Sequence, residues 1–176
     1  MAAICAATYS ARMTEIARYR FRAATMADLG LLAGWQKAPH VSLWWNSDAP
    51  FDEEKLADPR VSRWIVSFGE RPFAYMQDYA VHGWPQHHFD YLPDKSRGID
   101  QYIGEPDMIG KGHGTGFIRQ RMQELFGQGV PALATDPSPK NKRAISVYEK
   151  LGFRIVGPAK ETQWGTVLPM EAWVVS

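Results

Sequence analysis

The segment Ile109-Gly110-Lys111-Gly112-His113-Gly114-Thr115-Gly116 is where residue type and spacing in this chain most directly suggest chemistry. Glycines at a strand-to-helix passage let the backbone approach a ligand closely, and the N–H groups of a helix start attract phosphate. Glycine clusters also serve as ordinary turns, so the segment by itself leaves both uses open. It is not a Walker loop, which needs four residues between its first glycine and the Gly-Lys pair, then Ser or Thr; Gly104 to Gly110 leaves five, and Gly112 follows Lys111. Nor is it a dinucleotide turn, because four expected strands precede it and two of those form a hairpin.

Other residues carry chemistry less directly. Asp136 closes an apolar strand, where it either accepts hydrogen bonds from a cationic substrate or turns the chain before Pro137. Pro137-Ser138-Pro139 reads as helix initiation. Trp44, Trp45, Trp84, Phe89 and Tyr91 offer faces that stack on sugar or alkyl surface, or pack the core. The pair His87-His88 is not expected to bind metal, since adjacent side chains in an extended loop point apart and no third ligand is suitably spaced. Cys5 is the only cysteine, which excludes an internal disulfide and a multi-cysteine metal site and suits a reducing cytoplasm. Asp48 to Asp58 holds five acids against one lysine and reads as a solvated surface with a short helix, or as a cation-attracting entrance.

The elements that must position these groups follow from periodicity. Tyr19 to Ala24 reads as a strand, and Thr25 caps a helix with Leu29, Leu32 and Trp35 on one face, limited by Pro39. Val61 to Phe68 and Phe73 to Val81 form a hairpin around Gly69-Glu70-Arg71-Pro72. Arg97 to Ile103 is a strand, Gly112 to Gln128 a helix with Phe117, Ile118, Met122, Leu125 and Phe126 inward, and Val130 to Thr135 a buried strand. Ser138 is expected to cap the next helix, which carries Ala144, Ile145, Tyr148 and Leu151 on one face and ends at Gly152. Two closing strands, Phe153 to Ala159 and Thr166 to Val175, flank a turn at Gly165.

The chain's 176 residues, 45% of them hydrophobic, suit one domain. A formal charge of +1 provides no broad field for a nucleic-acid partner. No apolar run is long enough to span a membrane. Met1 to Ala11 lacks the basic start of a signal peptide, so residues 1–18 read as a loosely ordered extension, with Met13 as a possible natural start and 19–176 as the domain. The expected location is the cytoplasm, and the expected state a monomer or homodimer.

The order strand, helix, antiparallel strands, glycine turn, helix, strand, helix and closing strands resembles the GNAT fold, whose signature is a Gln/Arg-x-x-Gly-x-Gly/Ala loop. Ile109 to Gly114 matches it, with Ile109 at the Gln/Arg position. The resemblance implies an α/β (α+β) class: a mixed, mostly antiparallel sheet of about seven strands with about four helices, splayed between the fourth and fifth strands. Gly98-Ile99-Asp100-Gln101, Ile109 to Thr115, Thr135-Asp136-Pro137-Ser138-Pro139, Asn141, Arg143-Ala144-Ile145 and Tyr148-Glu149-Lys150-Leu151-Gly152-Phe153, with Gln77-x-Tyr79 upstream, resemble the aminoglycoside 6′-N-acetyltransferases. Hydroxylysine acetyltransferases of siderophore synthesis share the set, and His113, where many such loops carry an aliphatic residue, leans toward that branch.

What the resemblance implies is acetyl transfer from acetyl-coenzyme A, without a metal, to a small-molecule amine; a non-catalytic acyl-coenzyme A binding module is the alternative of another class. The pyrophosphate would lie over Gly110, Lys111, Gly112, His113, Gly114 and Thr115, and the rest of the cofactor along Gln101, Ile103, Asn141 and Ala144. Asp100 would be the base or an ammonium-binding group, and Tyr148 the acid that serves the sulfur. Trp45, Gln77, Tyr79, Asp100 and Asp136 would hold the acceptor. The loop from His82 to Ser96 departs from the aminoglycoside enzymes, with three histidines and only Asp90 and Asp94 as acids.

Overall fold

The computed structural model describes residues 19–45 and 50–174. The expected N-terminal extension, Met13 and Asp48 lie outside them.

Strand β1 (Tyr19–Ala23) leads into Thr25, which forms a capping box with Asp28 before helix α1 (Leu29–Lys37). Pro39 does limit that helix, and it opens a second short one, α2 (Pro39–Ser42), because its missing N–H costs nothing at a helix start. The acidic stretch yields α3 (Glu53–Ala57), where the Asp52 side chain caps Lys55 N at 2.8 Å. The hairpin forms from β2 (Val61–Phe68) and β3 (Arg71–Ala80). Its register slips between Val66 and Ser67, so that Phe73 is a bulge whose carbonyl accepts from both Gly104 and Glu105 N–H. Strand β4 (Arg97–Ile103), helix α4 (His113–Gly127), strand β5 (Ala132–Thr135) and helix α5 (Lys142–Lys150) follow.

Two expectations need correction. Asn141, not Ser138, caps α5, accepting from Ala144 N at 3.1 Å. Ser138 instead serves a turn, its carbonyl accepting from Asn141 N at 2.9 Å. The closing region also breaks up into β6 (Arg154–Ile155), a separate hairpin β7 (Lys160–Thr162) and β8 (Gly165–Val167), and β9 (Met170–Trp173). Gly157-Pro158 stops β6, since proline has no N–H for the ladder. The turn at Gly165, with φ +105°, stands as expected, but inside the extra hairpin.

The main sheet runs β1-β2-β3-β4-β5-β9-β6, with every neighbouring pair antiparallel except β4 and β5. That parallel pair joins only at Arg97 with Leu133 and Gly98 with Ala134. Beyond Gly98 the two strands separate, which is the expected splay. One face carries the largest core, with Phe117, Ile118, Met122 and Leu125 of α4 and Ile145 and Tyr148 of α5 on Met76, Ile99 and Leu133. The other holds a smaller group of Leu32, Trp35, Ile65 and Tyr75 under α1. Among the described residues no helix is long and apolar enough to cross a membrane.

Candidate active site

The opening between β4 and β5 gathers the expected residues from both sheet faces. Strand register puts Gln77 opposite Asp100, Tyr79 opposite Gly98 and Tyr75 opposite Tyr102, so alternation sends these side chains to the α1 face. Gln77 Nε2 donates to Asp100 Oδ2 at 2.8 Å, and the Tyr75 hydroxyl donates to Gln77 Oε1 at 2.8 Å. Burial pushes the Asp100 carboxyl up to about 7, the nearby Asp136 charge adds to this, and the Gln77 hydrogen bond opposes it.

Gln101 and Ile103 point to the opposite face, toward α5. There Gln101 Nε2 donates to the Tyr148 phenol oxygen. Tyr148 is buried against Phe153, with ring centroids 5.3 Å apart. Burial raises its phenol well above the ordinary value, against hydrogen bonds from Thr135 and Gln101. With one lone pair engaged by the amide, its O–H proton remains available to another acceptor.

Asp136, just past β5, has His88 Nε2 2.8 Å from its Oδ2, an ion-pair distance without hydrogen-bond alignment. The His87 and His88 rings do not point apart as expected. They stack with centroids 4.6 Å apart at 16°, because Phe89 N donates back to His87 Nδ1 and both rings pack against Phe89 and Trp164. Among the described residues no group of three or more His, Cys, Asp or Glu could hold a metal ion.

Tyr79 is buried and lies over Gly98 so closely that a Cβ there would fall 2.1 Å from its ring. Trp84 packs edge-on to Tyr79 at 5.8 Å, and Trp45 edge-on to Tyr102 at 4.9 Å and Tyr75 at 5.7 Å. Of the five aromatic residues expected to overhang, Trp45 and Trp84 therefore pack on the face that carries Tyr75, Tyr79 and Tyr102. Phe89 is wholly core, packed with Val81, Leu92, Ala132 and Ala134, while Tyr91 donates to Glu171. Trp44 is exposed.

On the other side of the opening, Gly110 and Gly112 have φ of +80° and +82°. Gly112 is the N-cap of α4, and no side-chain hydrogen bond caps that end. Lys111 is exposed. The His113 imidazole turns inward, with Nδ1 3.2 Å from the Tyr19 hydroxyl and Phe68 and Phe73 around it; only its main chain lies along the loop. Arg143 was not singled out from sequence, yet its Nη2 lies 3.1 Å from where a Cβ on Gly110 would stand. The arginine of the Arg143-Ala144-Ile145 run was the available signal. Gln101 Oε1 is buried without a hydrogen-bond partner, an acceptor that suits an amide-bearing ligand in the splay.

Residues 24–160 match the family model for the acetyltransferase (GNAT) domain. The chain belongs to the GNAT acetyltransferase family. This acetyltransferase is 34% identical over 148 residues to the aminoglycoside N(6′)-acetyltransferase type 1 of Klebsiella pneumoniae, covering 77% of this chain and 74% of that one. It is 47% identical over 62 residues to a kanamycin resistance protein of Rhizobium radiobacter, covering 35% of this chain and 57% of that one. Among solved structures, AAC(6′)-Ib in complex with acetyl-coenzyme A aligns with a TM-score of 0.78 at 31% identity, over 88% of this chain and 93% of that one. The same enzyme with coenzyme A and kanamycin aligns with a TM-score of 0.78, over 88% and 94%. As a GNAT acetyltransferase, the chain has its glycine turn, Asp100 and Tyr148 around a single opening.

Proposed function

We propose that this acetyltransferase moves the acetyl group of acetyl-coenzyme A onto an amine of a small molecule, the amine of an aminoglycoside-type amino sugar being the acceptor its relatives point to. One observation carries the reading: Asp100 and Tyr148 stand on opposite faces of the sheet at the same splay, each with a hydrogen-bonded glutamine on it.

Acetyl-coenzyme A supplies the acetyl group as a thioester. The first-turn N–H groups of α4, with Lys111 and Arg143, hold its pyrophosphate; Gln101, Ile103, Asn141 and Ala144 line the way for its arm. Trp45, Gln77, Tyr79, Asp100 and Asp136 receive the acceptor. Asp100, poised near neutrality, takes the proton from the bound ammonium and frees the nitrogen lone pair. As the new C–N bond forms and the C–S bond breaks, Tyr148 passes its proton to the leaving sulfur, and the amide nitrogen sheds its second proton to solvent. The cytoplasm, where acetyl-coenzyme A is made, is the proposed location.

A second reading, acetylation of a hydroxylysine-type amine, is favoured by the loop after β3. His88 Nε2 stands 2.8 Å from Asp136 Oδ2 and crowds that carboxylate, which leaves less room for a second ammonium group and suits an acceptor with fewer amines than an aminoglycoside.

Thiol release from acetyl-coenzyme A, measured across aminoglycosides, polyamines and hydroxylysine-type amines, tests the reading. Asp100→Asn should lower kcat at least a hundredfold with a modest change in KM, and Tyr148→Phe should lower kcat while cofactor affinity persists. A variant Asp100→Asn changed only in acceptor KM would make Asp100 a binding group; wild-type kinetics in both parameters would remove it from the site.

A further inference from the structure

The acceptor face carries a cation as well as acids. Strand register sets Arg63 of β2 directly opposite Gln77, and Gln77 opposite Asp100, so the three form one row across the sheet on the same face. The row spans two interstrand steps, about 10 Å between backbones. Its members are linked: Gln77 holds Asp100 through Nε2 and accepts from the Tyr75 hydroxyl. The Arg63 guanidinium lies beside that same phenol and opposes the rise that burial imposes on it.

Arg63 differs from the other arginines of the first four strands. Arg20, Arg22, Arg71 and Arg97 each have a carboxylate partner at 3.0 Å or less. Among the described residues no carboxylate lies within ion-pair distance of Arg63. Among the described residues its Nη1 makes a long hydrogen bond to Val61 O at 3.3 Å, the Tyr75 phenol is a polar neighbour of the guanidinium, and Nε is buried without a partner. Two residues along β4 from Asp100, the Tyr102 hydroxyl on the same face is also buried and unpartnered. Buried donors are ordinarily satisfied, and a guanidinium offers a planar fork that matches a carboxylate.

We propose that Arg63 forms an anion subsite for the acceptor, so that the enzyme takes amines carrying a carboxylate at the far end of a short chain from the reacting nitrogen. The inference rests on the amine-acetylation reading above. Asp100 receives the ammonium end, Arg63 the carboxylate, and Tyr102, on the neighbouring row of the same face, offers a further donor beside them. A polycationic acceptor gains nothing from that arginine, whereas a zwitterion meets a complementary charge at each end.

The test uses 6-aminohexanoate and its neutral counterpart 6-aminohexanamide as probes, with kanamycin as a sugar amine. The wild-type enzyme should prefer the carboxylate over the amide at least tenfold in kcat/KM. Arg63→Met should erase that preference, and Arg63→Lys should restore part of it. Equal use of the two probes by the wild-type enzyme, or a preference that survives in Arg63→Met, overturns the subsite. Acetylation of kanamycin but of neither probe also overturns it, while leaving acetyl transfer standing. If no amine, neither these probes nor kanamycin nor the wider panel, supported thiol release, the reading on which the subsite rests would fall instead.

Discussion

Asp100 illustrates how a single side chain takes its chemistry from its surroundings. An aspartate in water is ionised far below neutrality and is a poor proton acceptor for an ammonium; buried between Gln77 and the charge of Asp136, this one is lifted to about 7. A base must be deprotonated to work, so kcat/KM should rise with pH through the Asp100 ionisation and level off above it. Removing the Asp136 charge makes ionisation of Asp100 easier. Asp136→Asn should therefore move the acidic limb of the pH profile to lower pH, by about half a unit or more. An unmoved limb would mean that Asp136 does not act on the base.

At the level of elements, the glycine turn separates two demands that its sequence merges. Gly112 sits at φ +82° as the N-cap of α4, so any side chain there strains the backbone, most of all a branched one. Gly114 lies inside the helix, and a Cβ there would meet only Ile103 Cδ1 at 3.8 Å. Gly114→Ala should keep or raise Tm, since alanine favours helix, yet weaken acetyl-coenzyme A binding by intruding on the cofactor's path. Gly112→Val should lower both Tm and affinity, the latter at least tenfold, about 1.4 kcal/mol. Calorimetric titration beside thermal melts separates the two; normal affinity in a folded Gly114→Ala protein would show that the cofactor does not pass that residue.

The same scale shows which features can be read along the chain. Strand Arg97–Ile103 and helix His113–Gly127 were legible because their side chains repeat with the period of one buried face. The glycine turn was legible through the spacing of its glycines, whereas Asp100 and Tyr148 were proposed only through the family resemblance. The cap at Asn141 was not, because Ser138, Pro139 and Asn141 all carry start signals and only the turn geometry chooses among them. Nor was the β7–β8 hairpin, whose strands are too short for alternation to register. Arg63 was within reach by counting alternate residues back from Gln77, but only once the register was known. The stacked His87 and His88 depend on Trp164, which is distant in sequence.

Across the whole molecule, β3 links the chemistry to the fold. Its residues Gln77 and Tyr79 lie on the face proposed to receive the acceptor, while Asp78 between them points the other way into the core and is nearly inaccessible. The Asp78 carboxylate accepts from Arg97 Nε at 2.6 Å, Arg121 Nη2 at 2.9 Å and Trp64 Nε1 at 2.8 Å, which ties β3 to β4, to α4 and to β2. Arg121 also lies over the Trp64 ring at 4.5 Å and bonds Glu124. One buried carboxylate therefore fixes the strand that bears the proposed acceptor residues to the helix whose start forms the proposed cofactor loop. Removing it leaves Arg97 and Arg121 side by side with no carboxylate between them. Asp78→Ala should cost about 3–5 kcal/mol, because the loss of one partner strands the remaining buried charge. For a chain of this size that corresponds to a fall in Tm on the order of 10 °C. The exposed pair Arg20–Glu70, at a similar 3.0 Å, provides the comparison: Glu70→Ala should change stability by less than about 1 kcal/mol, since solvent screens both groups. If the two variants melted within a degree or two of each other, the Asp78 cluster would not be what holds the acceptor strand to the cofactor helix.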